Sequence, residues 1–307
     1  MQPALPGRRA GISMKTIESA LGILGMTSAL AVQVLAQPLD NFTYTTNDNA
    51  ITITAFTNWQ YSYTVTIPRR INGLPVIRID SDAFYGCNMT GVVIPNGITS
   101  VGDYAFQYCA TLTSIAIPDS VTNIGDYAFD CYSIPVPPFG TPYFSSLTNL
   151  TIGTGVTDIG TNAFYGCTNL GGILFEGSPP TIAGSIDFSV QWWATPEPVL
   201  CFLNVYYLPG TTGWGPTFAG SPALPWNPTP RSASVHGEQF SFDIIGTTNI
   251  PIALEASTNL AAGPWVPLQT CTLTNGLLHF TDPDFTNHPS RFYRFRYWSG
   301  PPVSVVQ

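Results

Sequence analysis

Apolar residues recur along the chain in phased blocks. Val101-Gly-Asp-Tyr-Ala105-Phe106 returns as Ile124-Gly-Asp-Tyr-Ala128-Phe129, as Ile159-Gly-Thr-Asn-Ala163-Phe164 and, upstream, as Ile79-Asp-Ser-Asp-Ala83-Phe84. The Ala-to-Ala steps are 22, 23 and 35 residues, the last being 23 plus a 12-residue insertion around the Pro-rich stretch Ser133 to Tyr143. A second block repeats in the same phase: Met89, Val92 and Ile94 match Leu112, Ile115 and Ile117, then Leu147, Leu150 and Ile152, then Leu170, Ile173 and Phe175. Leu-x-x-Ile-x-Ile predicts a short strand whose last two apolar residues share a face. Ile-Gly-x-x-Ala-Phe predicts a turn through the glycine that packs Ala and Phe inward. One unit of about 23 residues has no partner for its apolar face, whereas stacked units bury it between them, so the pattern predicts a solenoid.

The pattern changes beyond residue 182. Val205-Tyr206-Tyr207-Leu208-Pro209-Gly210 reads as one more short strand, and residues 183–220 as the terminal cap that a repeat array needs. Residues 221–231 carry four prolines and read as a linker. From 232 to 300, five segments read as strands, several alternating with period 2: Phe240 to Ile244, Ile252 to Ala256, Trp265 to Leu268, Leu277 to Phe280 and Phe292 to Tyr297. Asn275-Gly276 between two of them is a hairpin signal. The fold class that follows is mainly β: a short solenoid over 37–182, then a small all-β sandwich and a tail at 301–307.

Composition narrows the partners. Beyond Lys15, a charge-free run from Ser19 to Gln37 contains Val34-Leu35-Ala36, a small-residue cleavage pattern, so residues 1–36 read as a secretory signal peptide, with Met14 as an alternative start. Without that leader the chain holds seven Arg, no Lys and 17 acidic residues, a net charge of −10. A sparse acidic surface argues against nucleic acid, whose phosphates need clustered cations, and against docking on anionic lipid. No membrane insertion is expected after cleavage of the leader.

Candidate chemistry is thin. His236, His279 and His288 form neither H-x-x-x-H nor H-E-x-x-H, and no nucleophile elbow, C-x-x-C pair or phosphate loop occurs. His279 reads as a half-buried strand residue. Asp103 and Asp126 hold equal places in adjacent units, but an Asp in a Gly-Asp-Tyr turn satisfies local backbone N–H groups more readily than it serves a carboxylate pair. Asp282-Pro-Asp284 offers oxygen ligands for Ca²⁺ but reads first as a turn. Arg291, Arg294 and Arg296 alternate with aromatics, as a strand with Arg on one face would. Catalytic, metal and cofactor residues are accordingly expected to be none, and the protein is expected to be non-enzymatic. Cys87, Cys109, Cys131 and Cys167 recur near repeat spacing as a column of small buried hydrophobes, their redox state left open.

The I-G-x-x-A-F-x-x-C-x-x-L-x-x-I-x-I-P units, with Pro95 and Pro118 after the strands, resemble the BspA-like leucine-rich repeat family. Tyr63 to Pro68 with Ile71 to Ile77 resembles that family's opening unit. Glu255-Ala-Ser-Thr-Asn-Leu260, Trp265, Phe280-Thr-Asp-Pro and Arg291-Phe-Tyr-Arg294 resemble a small β-domain that ends secreted modular bacterial proteins. The resemblance implies a secreted or cell-surface protein that binds or adheres. The residues it leaves for that role are surface ones. The outward strand positions Val93, Ala116, Thr151 and Leu174, flanked by Thr90, Thr113, Ser114, Thr148 and Asn149, form a small, uncharged sheet face suited to an extracellular protein. The alternative is a carbohydrate-binding accessory or structural surface protein, using the C-terminal sandwich or the aromatic cap patch Trp192, Trp193, Tyr206 and Tyr207 to stack on glycan.

Overall fold

The computed structural model describes residues 41–58, 63–131, 146–183, 204–260, 264–288 and 290–297. The expected leader, the insertion around Ser133 to Tyr143, and Trp192, Trp193 and Cys201 lie outside them.

Each repeat contributes two strands rather than one. Short strands stack in parallel as a first ladder: Thr64–Thr66, Gly91–Val93, Ser114–Ile117, Asn149–Ile152, Ile173–Phe175, Val205–Tyr207 and, not expected from the sequence, Ser221–Pro225. The residues ahead of each Ile-Gly form a second ladder, through Leu74–Ile79, Ser100–Val101, Asn123–Ile124, Asp158–Ile159 and Thr181–Ile182. After Leu74–Ile79 its rungs are two residues long, too short to show an alternation, so the second ladder is not legible in the hydrophobic pattern. An antiparallel hairpin, Phe42–Asn47 with Ala50–Phe56, closes its N-terminal edge. Asp48 and Asn49 make its two-residue loop with φ of 49° and 62°, the conformation that such tight hairpins demand.

Between the ladders the turns also stack. Ala83, Ala105, Ala128 and Ala163 are buried, and so are Phe84, Phe106, Phe129 and Phe164. The four rings lie nearly parallel, with centroids 4.8, 5.1 and 5.6 Å apart from one turn to the next. Phe56 and Phe42 extend the column to the hairpin. Phe84, Phe106 and Phe129 each donate their backbone N–H to the Ala carbonyl of the following turn, at 2.7–2.8 Å. The residue before each Ala is left-handed whatever its type: Asp82 (57°), Tyr104 (56°), Tyr127 (53°) and Asn162 (53°). A tyrosine in that region is unusual, and the repeated inter-turn bonds hold it there.

The glycines of the Ile-Gly pair do not supply a special φ. A Cβ on Gly125 would lie 2.5 Å from the Asp103 backbone nitrogen, and one on Gly160 would lie 2.5 Å from that of Asp126. The glycine is there because the neighbouring backbone occupies the space of a side chain. Gly125→Ala is expected to cost about 1–3 kcal/mol, since the clash is with backbone that has nowhere to move. The free energy of urea unfolding checks it, with Gly73→Ala as a control for left-handed strain in open space (φ 83°).

The Pro-rich segment expected to be a linker is built into sheets. Ser221–Pro225 is the last rung of the first ladder and pairs with Thr217–Phe218 on its other side. Thr229–His236 is the edge strand of an antiparallel sheet with Gln239–Ile245 and Leu277–Asp282. Proline is tolerated on an edge because its missing N–H is not needed there. A second antiparallel sheet holds Val266–Thr272, Pro251–Ser257 and Phe292–Tyr297. The five expected strands are all present. Asn275-Gly276 is not a hairpin, however: the strands that flank it belong to different sheets, so the turn carries the chain from one to the other. The two sheets share one core, with Phe242 and Phe280 of the first against Tyr293 and Phe295 of the second.

Candidate functional site

The outward row of the first ladder is set by register. Thr66 pairs with Val93, Ala116 with Thr151, Thr151 with Leu174, Leu174 with Tyr206 and Tyr206 with Leu224. Side chains at these positions point away from the solenoid core. The row is small and uncharged through Thr151, then large and apolar. The C-terminal sheets sit on the large end: Leu174, Tyr206 and Leu208 share a buried core with Ile252, Leu254 and Tyr297. Leu174 is only 4% exposed and Tyr206 1%. The Tyr206 hydroxyl donates to the Asn249 carbonyl at 2.8 Å, and the Trp226 indole N–H donates to the Pro251 carbonyl at 2.8 Å. Tyr206 and Tyr297 rings meet at 5.5 Å.

Two expected surface residues are therefore interior. Leu174 does not belong to an open face, and Tyr206 does not belong to an exposed aromatic patch; both are covered by the chain's own C-terminal half. Tyr207 points to the opposite side of its strand and stacks on Trp214 at 5.0 Å, within a cluster that includes Phe175 and Phe218. Among the described residues, Val93, Ala116 and Thr151 of the row lie outside that core and are half-buried.

The flanking residues divide by role. The Thr113 hydroxyl donates to the Thr90 carbonyl (2.9 Å), and the Thr148 hydroxyl donates to the Thr113 carbonyl (3.2 Å). These threonines staple one turn to the next. Ser114 and Asn149 pair in register at the start of the strands.

The remaining candidates resolve into structural pairs. Asp103 Oδ1 accepts the Asp126 backbone N–H at 2.8 Å, and Asp126 Oδ1 accepts that of Thr161 at 2.6 Å. The turn role holds, but the satisfied amide belongs to the next turn rather than to the residue's own. A shallow depression of about 260 Å³ runs beside them, lined also by Asn123, Gly125, Asp158 and Gly160. Asp282, fully buried, pairs with Arg291 Nε at 2.5 Å and accepts the Tyr293 hydroxyl at 2.7 Å. Burial, and then that bond to Asp282, push the Tyr293 phenol far above its ordinary range. Asp284 pairs with His288 (2.8 Å) and Asn287 (2.5 Å), and these hydrogen bonds hold its carboxyl below the ordinary range. The oxygens that a calcium ion would need are already used. Among the described residues no group of three or more His, Cys, Asp and Glu is placed to hold a metal ion.

Arg294 and Arg296 both reach Glu255, at 2.6 and 3.3 Å, and Arg294 lies over the Trp265 ring at 4.4 Å. The Arg-rich strand thus directs its cations at a carboxylate of its own sheet. His279, expected to be half-buried, has a side chain 65% exposed; its Nδ1 lies 2.8 Å from Asp243 Oδ1, and its Nε2 lies 3.5 Å from Thr281 Oγ1. This Asp–His–Thr line is not legible along the chain, because Asp243 meets His279 only through strand pairing, while Thr281 lies two residues on in the same strand. It stands on an exposed sheet surface, where cross-strand charge pairs are ordinary.

Residues 36–136 and 141–186 match, in six copies, the family described as BspA type leucine rich repeat region. The repeat region is of that type. No curated protein matches the chain significantly. Among solved structures, the chain is similar to a leucine-rich repeat protein of T. pallidum at 25% identity (55% of this chain, 70% of that one, TM-score 0.44). It is similar to one from Bacteroides capillosus at 26% identity (45% and 95%, TM-score 0.37). A leucine rich cell surface protein from Faecalibacterium prausnitzii matches at 24% identity (54% and 53%, TM-score 0.31). Among the described residues, no helix is long and apolar enough to cross a membrane.

Proposed function

From a BspA-type repeat region as premise, we propose that this protein is an exported, surface-acting binding module that docks an extracellular protein on the open half of its first ladder. One observation carries the reading. The same outward row that takes the C-terminal sheets at Leu174, Tyr206 and Leu224 continues without charge through Thr151, Ala116 and Val93, which among the described residues lie outside the shared core. A row of small residues lets a partner approach the sheet closely. The stapled threonines beside it keep the face rigid, so little conformational entropy is lost on docking. The protein reading is favoured over the glycan one, because Tyr206 is buried and Tyr207 packs into the cap.

The test uses the full chain on a biosensor against extracellular matrix proteins. Ala116→Arg with Thr151→Arg places two bulky cations at the centre of the face and leaves every inter-turn hydrogen bond intact. We expect binding to weaken at least about tenfold, which is about 1.4 kcal/mol, with an unchanged melting temperature. Undiminished capture by this variant would reject the face.

A further inference from the structure

Cys87, Cys109 and Cys167 stand four residues after their ladder alanines, whereas Cys131 stands three after Ala128. The one-residue difference changes what the sulfurs touch. The regular thiols donate to the ladder Phe carbonyl of the preceding turn: Cys109 to Phe84 and Cys167 to Phe129, each at 3.2 Å. Cys131 Sγ lies 3.2 Å from that same Phe129 carbonyl and therefore meets Cys167 Sγ directly, at 2.7 Å. Two turns that would otherwise hold their sulfurs apart bring this pair into contact. The two residues are 36 apart in sequence, and the insertion lies between them.

We propose that Cys131 and Cys167 form an intramolecular disulfide that fastens the third turn to the fourth. The oxidant is a small organic disulfide such as oxidised glutathione, of the kind that oxidising compartments hold. Cys131 is half-buried and accessible, while Cys167 is enclosed. The Cys131 thiolate attacks one sulfur of the small disulfide and releases one thiol. Cys167 then gives up its proton and attacks Cys131 Sγ, releasing the second. The protein loses two hydrogens and two electrons in all, and the small disulfide gains them. Burial holds the Cys167 thiol well above its ordinary range, so it resolves the mixed disulfide instead of starting the exchange. Burial also pushes Cys87 up to about 12 and Cys271 up to about 11, which keeps both out of the reaction. Closing so long a loop restricts the unfolded chain and raises stability.

The full chain is incubated with oxidised glutathione or with a reductant. Free thiols are then alkylated in denaturant and the peptic peptides are weighed. The expected result is a single linked pair, Cys131 with Cys167, and alkylated Cys87, Cys109 and Cys271. The oxidised form is expected to melt on the order of 10 °C above the reduced one, and Cys131→Ser to lose that increment while melting like the reduced wild type. Cys131→Ser is chosen over Cys167→Ser because the accessible site tolerates the change. Full alkylation, glutathione retained on Cys131, any other pairing (with Cys201 included), equal melting of the two forms, or an increment that survives in Cys131→Ser would each overturn the proposal.

Discussion

Phe129→Ala is expected to remove about 3–5 kcal/mol of folding stability, the range for a large aromatic lost from a packed core. Phe129 is 1% exposed and touches a ring on each side, Phe106 at 5.1 Å and Phe164 at 5.6 Å, both nearly parallel to it. A cavity there cannot close by local adjustment. The turns above and below are held at fixed separation by backbone bonds, Phe129 N–H to the Ala163 carbonyl and Phe106 N–H to the Ala128 carbonyl. Solenoid stability is the sum of turn and interface terms, and this residue contributes to two interfaces at once. Phe129→Leu should recover part of the loss, because the volume largely returns while the stacking does not. Urea unfolding followed by circular dichroism measures both. A cost below about 1 kcal/mol for Phe129→Ala would mean that the ring column is not what holds the turns together.

Arg291→Ala is expected to cost about as much, 3–5 kcal/mol, for a different reason. Asp282 is fully buried, and Arg291 keeps only 8% of its side chain exposed. Removing the guanidinium strands a carboxylate in the core, where among the described residues the Tyr293 hydroxyl and the Asp284 backbone N–H still donate to it. The cost is therefore the desolvated charge rather than the attraction of the pair. Asp282→Asn in the same chain should relieve much of it, and the double-mutant cycle isolates that coupling. Destabilisation by Arg291→Ala that Asp282→Asn leaves untouched would show that Arg291 acts through packing instead. In the sequence, Arg291 reads as part of a cationic cluster and Asp282 as part of a turn. Their pairing was out of reach there, since Asp282 ends one sheet while Arg291 leads into a strand of the other.

The same limit runs through the candidate binding face. Val93, Ala116, Thr151 and Leu174 are equivalent by repeat phase, and the phase alone does not separate them. What separates them is a second body of sheets that lands on Leu174, Tyr206 and Leu224 and stops short of Thr151. The apolar bulk at Leu174 and Tyr206 was a signal of burial, which the assumption of a uniform outward face concealed. The four prolines of 221–231 misled in the opposite sense. They read as a break, yet Pro222 and Pro225 lie in the last rung of one ladder and Pro230 in the edge strand of the next sheet, where a missing N–H is tolerated.

By itself, the sequence determined the period, the identity of the buried Ala–Phe column, the first ladder up to Val205–Tyr207 and the five β-segments that follow. Those features come from local periodicity, and a repeated unit with one apolar face has one economical way to bury it. The tertiary structure alone decided the second ladder, the reason for each Ile-Gly glycine, the partners of the buried charges, the contact of Cys131 with Cys167, and which half of the outward face stays open. Each of these depends on groups far apart in the chain meeting in space. Stacked turns and packed sheets set such meetings to within an ångström, and no pattern read along a single strand contains them.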